Sequence, residues 1–258
     1  MRKSLTILLA LMFVFPGCLD EKTDNLYDID DSGLQNDDSG TGFLNETVNQ
    51  TEEIREPELI EVSYEEGCDN INPLHCMLPF PSNAFLGEDS TTETGFRVNY
   101  ADSTFPEAGI VYETKIPGLS RLDGMSPATQ IMTAFDIVPD LAEAANQSTI
   151  AKSLEVGHPT ILLNLDNGEI LPHWVEIDLR SDDVSRTLMY IRTISGLDHN
   201  AEYGIGISGL ESNGTLIEPS LAFKVMIEGN ITTALDVEER RESFEDLFVK
   251  LEANGYPR

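Results

Sequence analysis

Cys18 is the first side chain with chemistry of its own: it follows Gly17 at the end of an apolar run, residues 5–15, that opens after Arg2 and Lys3. A positive start, an apolar stretch too short to span a bilayer and a small residue ahead of a thiol are the parts of a lipoprotein export signal. Residues 1–18 are therefore read as a lipoprotein signal peptide with its lipidation cysteine; an ordinary secretory signal with an incidental cysteine is the alternative. Lipidation at Cys18 leads us to expect a protein on the cell surface or extracytoplasmic face, held to the membrane by a lipid anchor. Each buried methylene of such an anchor contributes roughly 0.8 kcal/mol, and two chains hold where one does not.

Only two more cysteines exist, Cys68 and Cys76. In an oxidising compartment they form a short disulfide loop, which the chain-entropy estimate values at roughly 2.5 kcal/mol. Two free thiols or half a metal site are the alternatives, and no second cysteine pair is present to complete a zinc centre.

The other reactive side chains fall into no catalytic spacing. His75, His158, His173 and His199 are scattered, no Gly-x-Ser-x-Gly elbow occurs, and His173-Trp174 after Pro172 reads as packing at the start of a strand. Gly204-Ile-Gly206-Ile-Ser-Gly209 spells a dinucleotide fingerprint, but its glycines lie inside an apparent strand with no helix after them; small residues that admit a close neighbour are the structural reading. Asp28-Ile-Asp30-Asp31-Ser32-Gly33 opens like a calcium loop, yet Ser39 stands where a bidentate glutamate is required. No catalytic, cofactor or metal residue is assigned, and no catalytic activity is expected from the residues of this chain. Five sequons, at Asn45, Asn49, Asn146, Asn213 and Asn230, are candidate N-glycosylation sites.

Acidic residues outnumber basic ones 46 to 16. The net charge of −30 argues against nucleic acid and anionic membrane surfaces as partners. Residues 20–66 carry sixteen acids and two bases, with apolar residues at no fixed period, so residues 19–67 are expected to be a disordered tether reaching roughly 40 Å from the membrane.

From Cys68 onward, apolar segments are separated by Gly, Pro, Asn and Asp. Strands are expected at 160–165, 174–179, 187–193, 203–208 and 221–227, with Asn167-Gly168 as a hairpin turn between the first two. Val175, Ile177 and Leu179 share one face of such a strand, and Glu176, Asp178 and Arg180 the other. Helices are expected at 141–154, weakly, and at 237–253, where Phe244, Leu247, Phe248 and Leu251 form a stripe, Asp236 caps the start and Gly255 marks the stop. Tyr203 sits where a tyrosine corner would brace an immunoglobulin-like sandwich, although a merely half-buried strand tyrosine fits equally. The fold class expected is mainly β: an immunoglobulin-like antiparallel β-sandwich over 151–235, preceded by an extended, Pro-rich, disulfide-stapled entry region over 68–150 and followed by a C-terminal amphipathic helix over 236–258.

Cys68-Asp-Asn-Ile-Asn-Pro-Leu-His-Cys76-Met-Leu-Pro-Phe-Pro-Ser-Asn83 resembles the amino-terminal region of large exported bacterial proteins related to the virulence-factor lipase N-terminal family. Thr94-Gly95-Phe-Arg97-Val-Asn99, Leu122-Asp-Gly124-Met-Ser126-Pro127, Ile170-Leu-Pro172, Ile191-Arg192, the Tyr203 strand and the helix with Phe244 and Phe248 continue it in order. The resemblance spans nearly all of 68–258. It implies a non-catalytic N-terminal module that partners a downstream or separately encoded α/β-hydrolase domain, where any carboxylic-ester hydrolase activity would reside. No residue of this chain matches that domain's nucleophile. A fragment of an esterase, or an envelope-structural or ligand-binding surface lipoprotein of unknown ligand, are the other functional expectations.

Overall fold

The computed structural model describes residues 12–14, 55–105, 118–180 and 182–258. Cys18, the Asp28 to Gly33 run, Asn45 and Asn49 lie outside the described residues. Twelve short strands are described: β1 (Met12–Val14), β2 (Leu59–Ile60), β3 (Leu86–Glu88), β4 (Phe96–Val98), β5 (Ile131–Phe135), β6 (Thr160–Asn164), β7 (His173–Ile177), β8 (Thr187–Thr193), β9 (Glu202–Ile207), β10 (Glu211–Ser212), β11 (Thr215–Leu216) and β12 (Ile231–Thr232). Three helices accompany them: α1 (Leu221–Ile227), α2 (Leu235–Glu238) and α3 (Arg241–Ala253). The protein is mainly β, built from small sheets.

Two antiparallel three-stranded sheets form the centre, in the orders β1-β9-β6 and β5-β8-β7. One core draws on both: Leu162, Tyr203, Ile205 and Ile207 from the first sheet pack with Ile131, Val175, Met189 and Ile191 from the second. A second core lies on the opposite face of the first sheet, where Ile161, Leu163 and Leu165 meet Phe223, Val237, Phe244, Leu247, Phe248 and Leu251 of the helices. All five residues of β6 are buried as a result, since a strand covered on both faces needs apolar residues throughout instead of alternation.

Strand β9 alternates residue size instead. Its large residues Tyr203, Ile205 and Ile207 enter the first core, while Gly204 lies under α3, where a Cβ would stand 2.4 Å from Leu247 Cδ1 and 3.1 Å from Leu165 Cδ2. The glycine of the apparent fingerprint is thus a packing position. Helix α3 ends in a Schellman motif. The Gly255 N–H donates to the Glu252 carbonyl and the Tyr256 N–H to the Leu251 carbonyl, both at 3.0 Å, with Gly255 at φ +87°.

Several expectations are corrected. Residues 221–227 are helix, not strand: Ser220 Oγ accepts the Phe223 N–H, and Ala222, Phe223, Val225 and Met226 are buried together at helical spacing. Residues 141–154 are turns ending in a 3-10 segment, Ile150–Leu154. There Asp140 Oδ1 accepts from Ala142 N–H and Asn146 Oδ1 from Ser148 N–H, local bonds that compete with a helix. Asp236 does not cap the last helix; it lies within α2 and accepts from Asn70. The Asn167-Gly168 turn folds Ile170 back onto Leu163, but Pro172 lacks a donor, and β7 joins β8 in the other sheet instead of pairing with β6.

The tether and entry boundaries also move. Residues 57–67 belong to the fold, because β2 pairs in parallel with β12 and Val62 is buried in the second core. Residues 68–150 are no separate extension: β5 forms an edge of the second sheet against β8, and Phe80 bridges to Met132. Pro79 and Pro81, within the entry region expected to be extended, follow cis peptide bonds.

Replacing Gly204 by Ala is expected to lower the free energy of unfolding by about 1–3 kcal/mol through overpacking against Leu247. In urea denaturation, Leu247→Ala should cost less in the Gly204→Ala background than in the wild type.

Candidate functional site

The chemistry-bearing side chains converge in two buried clusters. In the first, His158 and His173 meet edge to face, 5.6 Å between ring centroids, beside Thr160 at the start of β6. Their partners define their tautomers. His158 Nε2 accepts the Ala145 N–H at 2.8 Å, so its proton sits on Nδ1, which donates to the Thr160 carbonyl at 2.7 Å. His173 Nδ1 donates to the Leu171 carbonyl at 2.9 Å, and its Nε2 accepts from the Thr160 hydroxyl at 2.8 Å.

The Ala145 N–H requires a neutral His158 ring, and burial favours the neutral form of both. Burial pushes the His158 pKa down, with the Lys152 charge adding to it against opposing contributions from the Thr160 bond and Glu155. Deeper burial takes His173 down to about 4. Ser153 approaches the backbone N–H of His173 at 3.0 Å, not its ring, and donates to the Ile150 carbonyl. The serine and histidine do not form a nucleophile–base pair. His173 does pack at a strand start, as its place after Pro172 suggests.

The second cluster surrounds the Cys68–Cys76 disulfide. Asp69 next to it is fully buried at its side chain and pairs with Arg240 just ahead of α3 at 2.6 Å. Ser82 Oγ donates to the other Asp69 oxygen at 2.5 Å, and Asn83 Oδ1 accepts from Arg240. Asn70 donates from its backbone and its side chain to Asp236, which is 3.6 Å from Arg240. This network joins residues 171 positions apart. The carboxylate that Ser82 meets is committed to Arg240, and the arrangement fastens the disulfide loop to the start of the last helix.

Tyr203 is fully buried, and its hydroxyl oxygen accepts the Asp198 N–H at 2.9 Å, five residues upstream. The ring thus braces the chain entering β9. Of the sequons in the described residues, Asn146 and Asn213 are exposed. Asn213 occupies the two-residue turn between β10 and β11, with φ 51° at Asn213 and 76° at Gly214. Asn230, by contrast, is buried and accepts the Glu58 N–H, which removes it from the accessible acceptors.

Beyond the ends of β5 and β7 and at the start of β8, Val138, Leu179 and Val184 project at a depression of about 110 Å3, rimmed by Asp178, Asp183 and Arg186. It is well below the 300–1,000 Å3 typical of small-molecule pockets. Among the described residues, no group of three His, Cys, Asp or Glu side chains is placed to hold a metal, and no helix is long and apolar enough to cross a membrane.

Sequence reasoning missed both clusters. The lone signals were the proline neighbours of the two histidines and an aspartate directly after Cys68. Comparison with known proteins returns no matching family, curated protein or solved structure.

Asp69→Asn should destabilise the fold by about 3 kcal/mol, because it removes the nearer of the two carboxylates paired with the buried Arg240 and leaves Asp236 at 3.6 Å. The double variant Asp69→Asn/Arg240→Met should recover part of that loss in guanidinium unfolding curves.

Proposed function

We propose that this chain is a membrane-anchored extracytoplasmic lipoprotein whose folded part is a non-catalytic immunoglobulin-like β-sandwich, the leading module of a hydrolase- or lipase-like protein. The observation that carries this reading is the Cys68–Cys76 disulfide. A closed pair with Cys68 buried suits an oxidising compartment, and it leaves Cys18, at the end of the apolar leader, as the one cysteine for lipid.

Three further features support it. Two three-stranded antiparallel sheets contribute to one core, the arrangement a sandwich requires. The Tyr203 hydroxyl meets the backbone of Asp198 at a strand start, as in immunoglobulin-like corners. The histidines that enter the core are committed through their ring nitrogens to internal hydrogen bonds, which suits a positioning or scaffolding module. The link to hydrolase-like proteins rests on the order of motifs from Cys68 to Phe248.

Cell fractionation tests the anchor. Wild-type chain is expected in the membrane fraction and Cys18→Ser in the medium or as unprocessed precursor; a Cys18→Ser chain that is cut normally and stays on the membrane would overturn it. The purified full chain is expected not to turn over short-chain esters. Turnover abolished by a single point substitution would make the chain an esterase instead.

A further inference from the structure

The His158 cluster is a junction of elements distant in sequence. The His158 ring holds the Ala145 N–H from the turn region and the Thr160 carbonyl from β6. Its own carbonyl accepts the Tyr256 hydroxyl at 2.7 Å, and the Thr160 carbonyl lies 3.1 Å from the same hydroxyl. Tyr256 is the residue that closes the Schellman motif of α3, and it is buried in the helix-facing core. Through one ring and one carbonyl, His158 therefore ties the 141–158 segment, β6 and the end of the last helix together.

We propose that His158 is a proton-operated latch: acid breaks its bond to Ala145, swings residues 141–158 outward and releases Tyr256 and the C-terminal turn while both sheets stay folded. The two histidines differ in what a second proton does to them. A proton on His173 Nε2 faces the Thr160 hydroxyl, which can turn and accept. A proton on His158 Nε2 faces a backbone N–H, which can only donate, so two donors oppose each other and the ring must leave. The change is therefore built into His158 and not into its neighbour.

The groups facing the ring fix the direction. Lys152, itself paired with Glu143 at 3.2 Å, opposes the new charge, as does any charge on His173; Glu155 favours it; Thr160 and Tyr256 remain uncharged over the range concerned. Burial is the largest influence, and it favours the neutral ring in the closed state. The open state binds the proton at the ordinary histidine value near 6.5 and the closed state only at lower pH. Closure is thus fully present above pH 6.5 and weakens as pH falls below it, by up to tenfold per unit, until the closed ring itself titrates.

Hydrogen exchange of the full chain between pH 7.5 and 4.5, corrected for the intrinsic pH dependence of exchange, tests the latch. Protection of the Ala145, Gly255 and Tyr256 amides is expected to fall as pH drops through 6.5, by up to tenfold per unit, with the β8 amides of Met189 and Ile191 unchanged. His158→Gln, whose side-chain oxygen can still accept from Ala145, should flatten that profile, and His199→Gln, on the surface, should not. A wild-type profile flat to pH 5, or one in which β8 loses protection together with Tyr256, would overturn the proposal. If His158→Gln fails to fold, the wild type decides through its four histidine NMR signals: protection lost along the His158 titration supports the latch, and protection lost along any other histidine's curve rules it out.

Discussion

Strand β6 is covered on both of its faces, and the remainder of the molecule is arranged around that fact. One face looks across a core to β5, β7 and β8; the other lies under α1, α2 and α3. A strand in that position has no solvent face on which to place polar residues, which is why Ile161, Leu162 and Leu163 run consecutively. Its neighbour β9 meets the same constraint by removing volume. Gly204 lets Leu247 approach the sheet, so helix and strand touch where a side chain would hold them apart. The polar atoms that β6 does carry, at Thr160 and Asn164, lie at its two ends and are hydrogen-bonded to His173, Tyr203 and neighbouring backbone.

Charge is handled in a corresponding way. In a chain with thirty more acids than bases, one of the few arginines is placed almost entirely inside, against a fully buried aspartate. A buried pair of this kind adds little net stability over an apolar replacement. What it does supply is a match between one carboxylate beside the disulfide and one guanidinium at the head of α3, so that the start and end of the described fold have a defined mutual position. Ser82, Asn83 and Asp236 complete the polar environment, and no buried side-chain nitrogen or oxygen among the described residues lacks a partner.

Locally coded features were legible in the sequence. Strands β6 to β9 fall within two residues of their expected bounds because each is a short apolar run closed by Gly, Pro, Asn or Asp. The stripe from Phe244 to Leu251 and the stop at Gly255 announce α3 in the same way. Residues 221–227 misled because Leu221, Phe223, Val225 and Ile227 alternate like a strand, and seven residues are too few to separate a period of two from one of 3.6. Partnerships made by tertiary folding were not legible: β5 with β8, Asp69 with Arg240, His158 with Tyr256. Of the candidate site residues, the Cys68 and Cys76 pair was readable from counting alone, whereas the histidine cluster depends on a crossover from β6 to the other sheet at β7 that no spacing rule contains.

The parallel contact of β2 with β12 has a mechanical consequence. Any pull on the residues before Glu58 enters the fold through a two-residue ladder at Leu59 and Ile60. Yielding there lets out residues 57–67, some 35–40 Å of extended chain, before the load reaches Cys68. At that point the covalent ring and the Asp69 anchorage to Arg240 arrest it. The segment ahead of Cys68 is thus slack followed by a hard stop, and its release withdraws Val62 from the second core while the first core stays intact.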